Sequence, residues 1–287
     1  MKMKTTISVL LIAAVLLILT PLGDGKQRPG LELMLYYPLD EGNGRTVEDK
    51  SESEADGKLS AGEWVDGKYG KAVRFNMKDG DGDPEGTSNI RTRENESFAF
   101  KGNAEITLMA WIKNETDHWA WAGINQFVVI YNRPEGNFTN YGFRIEDPGH
   151  PALFYRDAAD ADWHRKTARG DPLPTKQWVH VACTAILGKG DTMKFYVDGE
   201  ERPSGWSHGN GNFKAIAVPG PIDIGSRWGG GGKHLFHGSI DEVMIWRGVF
   251  EADEIKEIMS APGDEFLAVQ PRGKLATTWA TLKRSSN

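Results

Sequence analysis

One carboxylate in this sequence sits where its charge has to be answered by a partner. In GSIDEVMIW, residues 238–246, Asp241 alternates with Val243 and Ile245 and so shares a face with apolar side chains at the entry to a strand. A carboxylate on a buried face needs a partner that offsets its lost hydration. Two partners suit it. One is calcium, a hard cation that gathers roughly six to eight oxygens. The other is the backbone N–H groups of the Gly238–Ser239 turn, which would make Asp241 a cap.

The second set of residues able to do chemistry is aromatic. Trp119 and Trp121 in DHWAWAG, Trp163 in ADWHRK, Trp206 in GWSHGN and Trp228 before a run of glycines all read as loop residues. Sugar rings have apolar faces, so an exposed indole can stack on one while Asp, Asn or Arg binds the hydroxyls. Trp119, Trp121, Trp163 and Trp228, with Arg227, are therefore candidates for a glycan surface; the alternative is that they tuck under loops and extend the core. Histidines 118, 150, 164, 208, 234 and 237 also read as loop residues, and none forms a helical HxxxH pair, so zinc is not expected. His180, in WVHVACTAI, reads as a strand residue of the core or an edge rather than a base. Cys183 in the same strand is the single cysteine, which excludes an intramolecular disulfide and reads as a small buried hydrophobe. Asp79, Asp81 and Asp83 imitate the start of an EF-hand, but Pro84 and Ile90 occupy positions that the loop reserves for glycine and a bidentate acid.

The elements that must position these residues are strands. ITLMAWIK (106–113), FVVIY (127–131), Tyr141 to Ile145, Ala152 to Tyr155, Trp178 to Ile186 and Met193 to Asp198 are short, rich in β-branched and aromatic residues, and bounded by Gly, Pro, Asn or Asp clusters. Glu63-Trp64 and AVRF (72–75) flank an Asp66-Gly67-Lys68 turn, and Asp198-Gly199 predicts a tight hairpin. One helix is expected, EADEIKEIM (251–259), with Ile255, Ile258 and Met259 on one face. The pattern predicts an all-β protein, an antiparallel sandwich or jelly roll capped by one short C-terminal helix. The 287 residues carry a formal charge of -6, which gives no general electrostatic reason to bind nucleic acid or anionic lipid. Lys2 and Lys4 precede an apolar run from Val9 to Leu19, the architecture of an export signal.

The ordered segments YYPLDEGNGRTVEDKSES, WVDGKYGKAVRFN, ITLMAWIK, WVHVACTAI, MKFYVDGE and FHGSIDEVMIWRGVFEADEIKEI resemble the laminin G-like, concanavalin A-type jelly roll, to which pentraxins are related. The resemblance implies glycan binding or adhesion in secreted proteins, often with one calcium ion, although relatives of the fold include glycosidases and polysaccharide lyases. It also implies that Asp40, Asp49 and Asp56 complete a calcium site with Asp241, between the first loop and the last strand. Here Asp49-Lys50-Ser51-Glu52-Ser53-Glu54 replaces the family's Asp-x-Ser-Gly-Asn-Gly loop. Glucanase relatives carry Glu-x-Asp-x-x-Glu along one strand, and no strand here has that pattern. The nearest match, Glu251-x-Asp253 followed in phase by Lys256, lies on the expected helix.

The chain is thus expected to comprise a signal peptide (1–26), a jelly-roll domain (27–264) and a tail (265–287). It is expected to act outside the cytoplasm of a bacterium, secreted or in the envelope. The function expected is a monomeric, calcium-stabilised, non-catalytic module for a polysaccharide or glycoprotein. It would bind no nucleic acid and enter no membrane once the signal is cleaved. A structural protein-interaction domain of the envelope is the alternative, and a polysaccharide-active enzyme a third.

Overall fold

The computed structural model describes residues 30–75, 88–117, 119, 126–132, 139–158, 162–226 and 235–269. Within them, strands numbered in chain order form two antiparallel sheets. The first runs in space as β14 (Glu200–Arg202), β13 (Lys194–Val197), β12 (Val179–Ile186), β7 (Glu105–Asn114), β17 (Gly238–Arg247), β5 (Lys71–Phe75) and β4 (Glu63–Asp66). β1 (Glu32–Tyr37) pairs with the Val243–Arg247 half of β17, and β5 pairs with its Gly238–Ile240 half. The second sheet runs as β15 (Ser204–His208), β11 (Trp163–Ala168), β10 (His150–Arg156), β9 (Thr139–Glu146), β8 (Gln126–Asn132), β16 (Ile222–Ile224), β6 (Ile90–Thr92), β3 (Gly57–Leu59) and β2 (Thr46–Val47).

Alternation along each strand sends one set of side chains between the sheets. Leu108, Ala110 and Ile112 of β7, Val181 and Cys183 of β12 and Val243 and Ile245 of β17 meet Phe143 and Ile145 of β9, Leu153 and Tyr155 of β10 and Ile222 and Ile224 of β16. Cys183 is free and buried there, as a small apolar residue would be. The turns follow their residues: Asp198 and Gly199 adopt φ of 48° and 74°, the left-handed pair that a two-residue hairpin between β13 and β14 requires.

The outer faces of the two sheets differ. On the first, Tyr36, Met109, Ala182, Tyr196, Met244 and Trp246 form a second apolar layer, covered by Phe250 and by Ile255 and Ile258 of α1 (Ala252–Ile258). Burying each isoleucine contributes at most about 1.5–3 kcal/mol. The periodicity of EADEIKEIM thus places this helix where the sequence predicts it. A second short helix, α2 (Gly263–Val269), continues across the expected boundary between domain and tail; its Gly263 N–H donates to the Glu242 carboxylate at 2.8 Å. No helix among the described residues is long and apolar enough to cross a membrane. The expected export signal, and the tail beyond residue 269, lie outside the described residues.

Candidate functional site

The outer face of the second sheet has no such helical cover among the described elements. The ladder registers put one residue of every strand into a row perpendicular to the strands: Thr46, Lys58, Arg91, Asp223, Ile130, Gly142, Phe154, Arg165 and His208. The same registers set Arg144, Ala152 and Thr167 beside it on one side, and Arg156 opposite Trp163 on the other. Lys58, Arg91, Asp223, Phe154, Arg144 and Arg165 each stand next to a buried residue of the inner face in their own strands, and so belong to the outer face. Gly142 shows why the rings can close over the strands: a Cβ there would come within 2.7 Å of the Phe154 ring and 3.3 Å of Phe127.

Trp163 anchors this face. Its indole stacks on the imidazole of His208 (centroids 4.8 Å apart, planes at 23°) and meets Phe154 edge-on at 6.1 Å. Phe154 in turn meets Phe127 edge-on at 6.1 Å. The Arg165 guanidinium lies 4.9 Å from the Trp163 ring centre and that of Arg144 lies 5.1 Å from Phe154. Trp163 is half-buried, whereas Ser207 and His208 are exposed, so the aromatic stack reaches solvent.

A polar network runs beside the rings. Arg144 Nε donates to Glu146 Oε1 at 3.1 Å, Arg144 Nη2 donates to the same oxygen, and Arg165 Nη1 approaches it at 3.1 Å. Thr167 Oγ1 donates to Glu146 Oε2 at 3.0 Å, and Arg165 Nε to Ser207 Oγ at 2.7 Å. Burial pulls the Arg144 guanidinium below its ordinary pKa, and the Glu146 carboxylate opposes that shift. Further along the row, Asp223, fully buried, accepts from Arg91 Nη1 at 3.1 Å and from Asn89 Nδ2 at 2.9 Å. Charge-assisted donors, hydroxyls and apolar rings arrayed on one sheet face are the groups that bind sugar hydroxyls and sugar faces.

The residues singled out by sequence fare differently. Trp163 lies in β11 and not in a loop, and His164 and His208 also stand in strands. Trp119 is corrected outright: it is 3 % exposed, its indole N–H donates to the Leu173 carbonyl at 2.6 Å, and its ring packs edge-on against Phe236. Its faces are spent on the core, so it offers no platform to a sugar. Trp121, Arg227 and Trp228 lie outside the described residues. Sequence reasoning missed β11 and β15, whose inward residues include a histidine. His164 Nδ1 accepts from the N–H groups of Asn210 and Gly211 at 3.2 and 3.3 Å, which leaves the ring proton on Nε2, 3.0 Å from Asp157 Oδ2. That buried pair pins β11 from behind, directly next to Trp163.

The four aspartates do not gather. Asp241 Oδ2 accepts from the N–H groups of Lys68 and Tyr69 at 2.8 and 3.1 Å, and Oδ1 accepts from Glu242 N–H at 2.9 Å. It is a cap, but of the β4–β5 turn rather than the Gly238–Ser239 turn. Asp49 accepts from the N–H groups of Tyr36, Ser51 and Ala55 and from the Ser51 hydroxyl, Asp56 from Asp49 N–H, and Asp40 from Lys71 N–H. Among the described residues no group of three or more His, Cys, Asp or Glu is placed to hold a metal ion. Asp40, Asp49, Asp56 and Asp241 are thus not placed as one metal-holding group; each has at least one carboxylate oxygen that accepts from a backbone amide. Burial pushes the Asp241 carboxyl up to about 8 and that of neighbouring Glu242 to about 7, against the pull of these amides.

A laminin G family model described as "Concanavalin A-like lectin/glucanases superfamily" matches residues 84–256, more than half of the chain. The chain belongs to this superfamily. No curated protein matches the chain by sequence. Among solved structures, the binding domain of Paraclostridial mosquitocidal protein 1 superposes with a TM-score of 0.60 at 18% identity over 79% of this chain and 51% of that one. Domain 4 of an extracellular GH43 arabinanase from Geobacillus stearothermophilus, in complex with arabinotriose, gives 0.54 at 20% identity over 80% of this chain and 98% of that one. Trypanosoma rangeli sialidase gives 0.54 at 16% identity over 79% and 32%. This chain thus spans about half of the mosquitocidal binding domain, a third of the sialidase and nearly all of the arabinanase domain. At these identities the likeness is one of fold.

Proposed function

We propose that the protein is a non-catalytic carbohydrate-binding module that takes a polysaccharide or glycoprotein glycan on the outer face of the second sheet. The observation that carries the reading is the Trp163–His208 stack, open to solvent and set beside the Glu146, Thr167, Arg165 and Ser207 network. Rings for sugar faces and hydrogen-bonding groups for hydroxyls stand on rigid strands, where little ordering entropy opposes binding. The fold is shared with an arabinanase domain bound to arabinotriose, which agrees with this choice of ligand class. Glu146 and Asp223, the carboxylates of this face, are held by Arg144, Arg165 and Arg91, which suits recognition better than acid–base work. The leader-like N-terminus supports action outside the cytoplasm.

Binding to an immobilised glycan panel by the full chain and by Trp163→Ala tests the reading. Loss of binding in the variant, with an unchanged melting curve, is expected. Undiminished binding by Trp163→Ala would place the ligand elsewhere.

A further inference from the structure

The chain carries a formal charge of -6, yet the proposed binding face has the opposite balance. Within the strands of the second sheet, the outer-facing cations are Lys58, Arg91, Arg144, Arg156 and Arg165, and the outer-facing carboxylates are Asp223 and Glu146 alone. The carboxylates offset part of this charge, Asp223 against Arg91 and Glu146 against Arg144 and Arg165, and Asp162, just ahead of β11, lies 3.5 Å from His208; five cations against these three carboxylates still leave a formal excess of two. The cations are also spread out. Lys58 and Arg91 stand on β3 and β6 at one end of the row, and Arg144, Arg156 and Arg165 on β9, β10 and β11 at the other. With neighbouring strands about 4.8 Å apart, the row from Arg91 to Arg165 extends roughly 24 Å. A single sugar cannot reach both ends, but a chain laid across the strands can.

We infer that the natural ligand is an acidic polysaccharide, a chain bearing uronic acid carboxylates, lying along the row from Arg91 to Arg165. The inference rests on the glycan-binding reading above and adds the charge class and the extended form of the ligand. Uronate is the anion favoured because a planar guanidinium matches a planar carboxylate through paired hydrogen bonds. Arg144, only 7% exposed and packed on Phe154, is paired with Glu146 and holds that carboxylate beside Arg165. The aromatic stack separates this face from a general polyanion surface, since it offers sugar faces a platform amid the charges.

The test titrates the full chain with polygalacturonate, with the same polymer fully methyl-esterified, with neutral dextran and arabinan, and with oligo(dT). Binding of polygalacturonate that weakens with added salt, and is lost on esterification, is expected. Lys58→Gln, at an exposed position, should weaken binding about threefold, and Arg165→Gln about tenfold. Lys256→Gln, which removes the same charge from α1 beside the other sheet, should leave binding unchanged. Equal binding of the acidic and esterified polymers overturns the inference and leaves the glycan-binding reading standing. Oligo(dT) bound as well as polygalacturonate also overturns it, because the face would then select charge without sugar. Binding of no polysaccharide at all overturns both.

Discussion

His180 permits a prediction whose size can be worked from its surroundings. It stands in β12 opposite Trp111 of β7, with ring centroids 5.4 Å apart, and is 2% exposed. Its Nδ1 is buried without a hydrogen-bond partner. Burial alone lowers its pKa from 6.5 to about 3. The folded protein therefore refuses a proton that the unfolded chain accepts throughout the window from pH 6.5 down to about 3. The stability tied to the neutral ring is fully present above pH 6.5 and is lost as pH falls. Each pH unit within the window costs about 1.4 kcal/mol, so moving from pH 6.5 to 4.5 removes about 3 kcal/mol. Asp241 and Glu242 act in the opposite sense. Their raised values, about 8 and about 7, mean that the fold holds protons which the unfolded chain releases, so their contribution is present in acid and declines as pH rises. A melting curve of the unaltered protein alone would mix these slopes. The difference between the protein and His180→Leu, a replacement of similar volume that cannot titrate, isolates the histidine. Urea unfolding at pH 7.5, 6.5, 5.5 and 4.5 should show the variant gaining about 3 kcal/mol relative to its parent between the two extremes. A stability gap that stays constant with pH would refute the claim that burial keeps this ring neutral.

Trp119→Phe removes the donor that satisfies the buried Leu173 carbonyl; it should cost about 1–3 kcal/mol in urea unfolding while leaving glycan affinity unchanged, since the indole has no open face. Gly142→Ala drives a methyl group to within 2.7 Å of Phe154; a loss of about 1–3 kcal/mol is expected in thermal melts, together with weaker glycan binding, because Phe154 supports Trp163. Millimolar calcium added to chelator-treated protein should leave the melting temperature unmoved, because Asp40, Asp49, Asp56 and Asp241 already serve backbone amides. A calcium-dependent rise of about 3 °C, the mark of ~1 kcal/mol, would show instead that carboxylates of this protein hold an ion.

Much of the scaffold was legible because the relevant information is local. The β-branched and aromatic runs of β7, β8 and β12 and the Asp198-Gly199 turn each specify their element within a handful of residues. The α1 stripe of Ile255 and Ile258 does the same. β11 was not legible. WHRKTA has no apolar alternation, because its inward side presents His164, made tolerable only by Asp157 and by two amides from residues 210 and 211, far along the chain. α2 was missed for a related reason: its first turn is held by Glu242, a long-range contact that nothing in GDEFLAV announces.

The candidate site was hidden by the same feature of sheets. Asp241 is indeed a buried carboxylate, but not on the face that its alternation with Val243 and Ile245 predicts: the bulge between Asp241 and Met244 sets it opposite Trp111, away from those core residues, and the amides that answer it come from the β4–β5 turn folding back across β17, which no spacing within GSIDEVMIW encodes. Trp163 could be singled out as a sugar-stacking candidate by its type. Its partners could not, because Arg144, Phe154 and His208 come from three other strands and meet it only through the registers of the second sheet. A one-residue slip of β11 against β10 would send Trp163 and Arg165 inward and His164 outward. The buried His164–Asp157 pair opposes that slip, since it would expose the histidine and break its contact with Asp157. The residue proposed to recognise the ligand and the one that fixes the register are thus consecutive, and the proposed binding face depends on a histidine that never reaches it.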